Sequence, residues 1–120
     1  MGSAVREKSF EFAIVIVRLS RELQRVEREF VISRQLLRAG TAIGALVREA
    51  EQAESRADFA HKLAIALKEA SETEYWLDLL VAYDLLSEQR HADLQSQIRE
   101  LLRLLTAIVR TTRLSSTIVD

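Results

Sequence analysis

The sequence predicts an all-α protein, an antiparallel up-down-up-down four-helix bundle. Three observations carry this. The 120 residues include no proline and only three glycines, so few positions can break a helix. Apolar residues recur with the 3.6-residue helical period in four separate segments. The junctions between those segments are short, which makes consecutive helices antiparallel neighbours.

Taken in order, the first segment runs from about Ser9 to Glu27 and carries Phe12, Ile16, Leu19, Leu23 and Val26 on one stripe. Within it Phe12 to Val17 alone could pass for a buried strand. The helical period continues through Arg18 to Leu23, which is too long for one. The second segment, about Phe30 to Ala53, places Leu36, Leu37, Ile43, Leu46 and Val47 around Gly40 and Gly44. The third, about Arg56 to Tyr83, carries Phe59, Leu63, Ala66, Ala70, Thr73, Leu77 and Leu80. Ser55 and Asp58 at its start have the spacing of a capping box. The fourth, about Glu88 to Arg113, carries Leu94, Ile98, Leu101, Leu105 and Ile108, with Ser87 as its cap. The expected organisation is a flexible stretch over residues 1–8, one bundle domain over residues 9–113, and a tail over residues 114–120.

Composition narrows the function. Apolar residues at 48% and charged residues at 29% are ordinary for a globular domain. Without cysteine there is neither a disulfide framework nor a thiolate metal site. The longest uncharged run, Ala39 to Val47, is far short of the ~20 residues that span a bilayer. No signal-peptide pattern opens the chain. A cytoplasmic, non-membrane protein is expected.

No constellation reads as an active site, and the expectation is a non-enzyme without metal or cofactor. Asp58-x-x-His61 and Glu88-x-x-His91 have the spacing of carboxylate-bundle metal ligands. They fall at opposite ends of the third helix, on the order of 40 Å apart at ~1.5 Å rise per residue. Neither pair can complete the other. The serines lack a nucleophile elbow, and Gly40-x-x-x-Gly44 lacks the Lys-Ser/Thr that completes a P-loop. Those glycines, with Thr41 and Ala45, read instead as a small-residue notch that lets a neighbouring helix close in. Glu69 and Glu72 share a face with Ile65 and Trp76, where carboxylates need partners. Arg34 and Arg38 on the second helix are the expected counter-ions. A ligand site built from the same groups is the alternative.

Net charge is only −1, yet its distribution is uneven. Residues 1–48 hold nine Lys/Arg against five Asp/Glu, and residues 49–93 hold four against eleven. Fourteen of the seventeen basic residues are arginine, the side chain suited to bidentate phosphate or carboxylate contacts. Arg18, Arg21, Arg25 and Arg28 share one arc of the first helix. Arg99, Arg103, Arg110 and Arg113 fall within ~80° of one another on the fourth. Helices one and four are neighbours in this topology, so the stripes could form one eight-arginine face for a phosphate backbone. Two other readings stand beside it: a solvated face, or a basic face meeting the acidic third helix of a second subunit. Phe10, Ile14 and Val17 make a second apolar stripe on helix one, and Leu102 and Val109 widen helix four. Apolar faces of that width are usually covered by a partner, which points to a homo-oligomer.

The run RQLLRAGTAIGALVREA, followed by S-R-x-D-F-x-x-K-L-x-I-A-L-K-E-A-x-E-x-x-Y-W-L, resembles the bacterial four-helix bundle protein family first named for reading frames in intervening sequences of 23S ribosomal RNA genes. The resemblance covers Phe10 to Arg113, and its matching core runs from Leu37 to Leu77. The family pattern falls on Arg38, Gly40, Thr41, Gly44, Glu49, Ser55, Asp58, Phe59, Lys68, Glu69, Glu72, Tyr75 and Trp76. Leu46 and Val47 stand where family members usually carry Asn-Ile. The resemblance implies an antiparallel four-helix bundle similar to the accessory protein of diversity-generating retroelements. That relative is a ring-shaped pentamer with a strongly basic nucleic-acid-binding surface, from which this chain's pI near 6.2 departs. The combined expectation is a non-enzymatic homo-oligomer, a pentamer by resemblance, that binds RNA through its arginine stripes. A structural protein–protein adaptor is the alternative.

Overall fold

A computed structural model describes residues 3–119, and side chains over residues 4–114. Four helices follow one another: α1 (Ser3–Arg25), α2 (Ile32–Ala50), α3 (Arg56–Ala82) and α4 (Glu88–Val119). They pack side by side into a rod of 53 × 22 × 21 Å. The core lies along the rod axis. Phe12, Ile16, Leu19 and Leu23 from α1 meet Leu36 and Ile43 of α2, Leu63, Leu77 and Leu80 of α3, and Ile98, Leu101 and Leu105 of α4, each at most 1% exposed. This is the set of stripes that the periodicity predicts, and their burial is what holds helices of such mixed composition together.

Ion pairs on the rim report the antiparallel register. Arg6 near the start of α1 meets Glu51 just past α2, and Lys62 near the start of α3 meets Glu49 near the end of α2. On the α3–α4 seam Arg99 pairs with Glu74, and His91 Nε2 lies in hydrogen-bond contact with Asp78 at 2.7 Å. The α1–α4 seam is bridged by Lys8–Glu100 at 3.2 Å and Arg90–Glu22 at 2.6 Å. It is also the seam with the least packing between helices.

The notch behaves as expected, and its occupant is α1. A Cβ built on Gly40 would lie 2.7 Å from Ile16 Cγ2, so only glycine admits the buried Ile16 side chain there. At Gly44 the nearest atom is the Ser9 carbonyl oxygen at 3.4 Å, which is close to ordinary contact.

Helix ends depart from the periodic reading in ways local chemistry explains. Both serine caps are present: Ser55 Oγ accepts from the Asp58 amide at 3.0 Å, with the Asp58 carboxylate accepting from the Glu54 amide, and Ser87 Oγ accepts from the Arg90 amide at 3.2 Å. Asp84, at φ 61, ends α3 in a left-handed cap, with the Leu85 amide donating to the Leu80 carbonyl at 2.9 Å. At the amino end α1 already begins at Ser3, and at the carboxyl end α4 continues to Val119, so the bundle helices extend into both expected flanks. Residues 1–2 and 120 of those flanks lie outside the described residues. Two core assignments change. Val26 falls past the end of α1 and is 61% exposed, whereas Val109, expected to widen the outer face of α4, is buried at 6%.

Candidate nucleic-acid interface

All eight stripe arginines are solvent-exposed, but the register separates them into two groups. Arg90 reaches α1 through Glu22. Arg99 lies nine residues further along α4, roughly 180° around the helix. It turns the other way, with its Nε donating to Glu74 of α3 at 3.0 Å. Arg103 and Arg110 share the side of Arg99, as their spacing requires. The α4 stripe thus lies on the α3 flank of the bundle, away from α1. The groups are also displaced along the rod. With Lys8 level with Glu100 and Glu22 level with Arg90, Arg99 stands roughly 10 Å and Arg113 roughly 30 Å up the axis from Arg18. The two stripes do not merge into one eight-arginine face.

The α4 group is partly engaged: Arg99 is paired with Glu74 and Arg113 has an interaction of its own, whereas Arg103 and Arg110 show no ion pair among the described residues. Among the described residues no carboxylate lies within ion-pair distance of Arg18, Arg21, Arg25 or Arg28. Arg21, Gln24, Arg25, Arg28 and Phe30 line an open groove of about 360 Å³ where α1 turns into α2. The Arg28 guanidinium stands over the Phe30 ring, 5.3 Å from its centroid.

The turn that holds this groove is built by its own sequence. Arg28 adopts a left-handed backbone, φ 57, which a side chain other than Gly, Asn or Asp rarely takes. The Glu29 amide closes back onto the Leu23 carbonyl at 3.0 Å. The Glu29 carboxylate then caps α2, accepting from the amides of Ser33 at 2.7 Å, Ile32 at 3.0 Å and Val31 at 3.1 Å. Burial on its own would raise the Glu29 pKa. The amides of Ile32, Ser33 and Val31, with the Ser33 hydroxyl, outweigh it and hold the carboxyl below its ordinary value. Gln24 donates to Ser33 Oγ at 3.2 Å, tying the last turn of α1 to the first of α2. The spacing of Glu29 before α2 was the available sequence signal for this cap, since the residue at the cap position itself, Val31, has no oxygen to offer.

The expected ion-pair network on the α2–α3 seam is present with one change. Arg38 pairs with both Glu69, at 3.2 Å, and Glu72. Glu72 Oε2 also accepts from the Trp76 indole at 2.9 Å, and Tyr75 packs edge-on to Trp76. Arg34 stays exposed outside this network. Gln35 joins Arg38 from below at 3.4 Å. Arg38, Glu69 and Glu72 are thus engaged with one another, and the cluster ties α2 to α3 in one register.

The two D/E-x-x-H motifs remain apart. Asp58 turns back to accept from the Glu54 amide at 3.2 Å, and His91 Nε2 meets Asp78 at 2.7 Å. Among the described residues no three His, Asp or Glu side chains are grouped to hold a metal ion. No helix over these residues is long and apolar enough to cross a membrane.

A third surface flanks the notch. Phe10, Ile14 and Val17 are 51, 38 and 36% exposed. Phe10 and Ala13 line a shallow groove with Thr41, Gly44, Ala45 and Arg48, and the Arg48 guanidinium covers the Phe10 ring at 5.0 Å.

The family model described as "23S rRNA-intervening sequence protein" matches residues 2–107. The chain belongs to that family. It is also similar to a protein of unknown function of the S23 ribosomal protein family from Bacteroides thetaiotaomicron, whose crystal structure is known at 1.70 Å resolution. The two are 49% identical and superpose with a TM-score of 0.90 over 91% of this chain and 97% of that one. No curated protein matches the chain in sequence. The four-helix fold, the paired Arg38 cluster and the glycine notch are thus seen here in a member of the 23S rRNA-intervening sequence protein family.

Proposed function

We propose that this family member is a non-enzymatic, self-associating bundle that binds RNA, with the carboxyl end of α1 as the principal contact. One observation carries the reading: among the described residues Arg18, Arg21, Arg25 and Arg28 form a run of exposed arginines without carboxylate partners, while Arg6, Arg38, Arg90 and Arg99 are each paired across a helix seam. Three of these guanidinia lie within about two turns at the end of α1 and the fourth in the turn that follows, and they offer a phosphate backbone bidentate donors that need not first leave a carboxylate. The arginines of α4 form a second, partly neutralised surface. A net charge of −1 confines the attraction to such patches and leaves the molecule without a basic field at long range. Salt-dependent retention of RNA tests this reading. Binding at ~50 mM salt that weakens steeply toward ~200 mM supports it, and no binding at the lower salt sinks it.

A protein–protein role is the second reading, favoured by the exposed Phe10, Ile14 and Val17 beside a groove of small residues. Occupied by a second copy of the chain, this face gives the homo-oligomer, and a ring of five is the form proposed by family resemblance. A light-scattering mass of one 13.7 kDa chain would overturn self-association.

A further inference from the structure

We infer that the groove at the α1–α2 turn takes an unpaired nucleotide, so that the RNA bound at this end is single-stranded. The inference rests on the RNA reading above and adds the class of RNA. Three features of the groove point the same way. Arg21 and Arg25 line the groove with guanidinium donors for a phosphate, and Gln24, whose Nε2 donates to Ser33, adds its amide oxygen as an acceptor for a base or ribose edge. Phe30, 37% exposed, forms the other wall under the Arg28 guanidinium. An aromatic ring with an arginine over it is a platform on which a base can stack, and it is of no use to a base already stacked inside a duplex.

The third feature is the backbone of Arg28. A left-handed residue at the end of a helix is ordinarily glycine or asparagine. Arginine here gives up backbone stability, and its side chain is aimed at Phe30 and the groove. A strained backbone of this kind points to a role for the side chain that adopts it. The two neighbouring carboxylates do not oppose an incoming phosphate at full strength: Glu29 is engaged by three amides of α2, and Glu22 by Arg90. Glu27 is the remaining acid of the turn.

The test compares an unstructured twelve-nucleotide RNA with a twelve-base-pair RNA duplex, by fluorescence anisotropy at ~50 mM salt, on the full chain. The expected result is single-strand binding about tenfold tighter than duplex binding. Phe30→Leu, which keeps an apolar side chain at a half-exposed site, should remove most of that preference and leave duplex binding unchanged. Arg28→Asn should weaken single-strand binding about tenfold while its thermal midpoint stays level or rises, because asparagine suits the left-handed backbone. Equal binding of the two RNAs, unaffected by Phe30→Leu, would overturn the single-strand inference and leave the RNA reading standing. Failure to bind either RNA would overturn both.

Discussion

The α2–α3 seam and the α1–α2 turn both display exposed arginine beside an aromatic ring, and they use it in opposite ways. At the seam Arg38 lies between Glu69 and Glu72, and Glu72 also receives the Trp76 indole. The charge is consumed within the fold. At the turn Arg21, Arg25 and Arg28 surround a groove with Phe30, and among the described residues no carboxylate pairs with them. Composition counts these arginines alike. What separates them is whether a neighbouring helix brings an acid within reach. Free charge, more than charge count, is therefore the quantity to compare across such bundles.

The sharpest way to break the comparison is charge reversal at both places. Arg21→Glu with Arg25→Glu should lower RNA affinity by about a hundredfold or more at low salt, since two phosphate contacts become two repulsions. Thermal stability should change little, because surface substitutions of this kind usually stay within ~0.5 kcal/mol. Arg38→Glu should do the reverse, with RNA affinity nearly unchanged and stability reduced. Anisotropy and thermal melts on the same samples distinguish the two. Equal loss of RNA binding from both would dissolve the contrast.

The notch permits a similar test inside the core. Gly40→Ala forces a methyl group against Ile16, and overpacking of that kind costs about 1–3 kcal/mol, more than the ~1 kcal/mol gained in helix propensity. Gly44→Ala meets only the Ser9 backbone at 3.4 Å, so propensity and crowding should nearly cancel or favour the variant slightly. Denaturant midpoints that fall for Gly40→Ala and hold for Gly44→Ala are expected. The opposite ranking would mean that α1 shifts to make room.

Glu29 links the turn to pH. Its carboxyl is held below the ordinary value of 4.5 in the folded protein. A depressed carboxyl stabilises the fold fully above its unfolded-state pKa, and that stabilisation is lost as the pH falls through the folded-state value. The wild-type protein should therefore exceed Glu29→Gln in stability at neutral pH by about 1 kcal/mol, the usual worth of a helix cap. The gap should shrink between about pH 5 and pH 3. A gap independent of pH would show that the cap acts without its charge. A small effect is also expected of Arg38→Ala. With Arg38 half exposed, its two pairs are screened by water, and a loss of about 1 kcal/mol or less is expected in a thermal melt.

Much of this was readable from local pattern. Ser55 and Ser87 cap their helices as their spacing announces, and the buried residues of α3 fall almost entirely on the predicted stripe. The Arg38–Glu69–Glu72 cluster was also legible, because carboxylates beside Ile65 and Trp76 require a counter-ion. The α1–α2 turn was less so. Val26 continues the apolar period of α1, yet the helix ends at Arg25 and the chain leaves through a left-handed Arg28. Nothing in arginine's own preferences signals that conformation. The Glu29 cap is likewise contributed from outside the cap position that propensity rules inspect.

By itself the sequence determined four helices, their apolar faces, two of their caps and the family to which they belong, because helical period and capping act over a few residues. It could not determine how those faces align along the rod. Antiparallel packing set Lys8 opposite Glu100 and Glu22 opposite Arg90, and that register parted the two arginine stripes by roughly a helix face and up to ~30 Å. Which arginines meet an acid depends on contacts between residues dozens of positions apart in the chain. Only the tertiary structure, by choosing those pairs, left the end of α1 with its charge unspent.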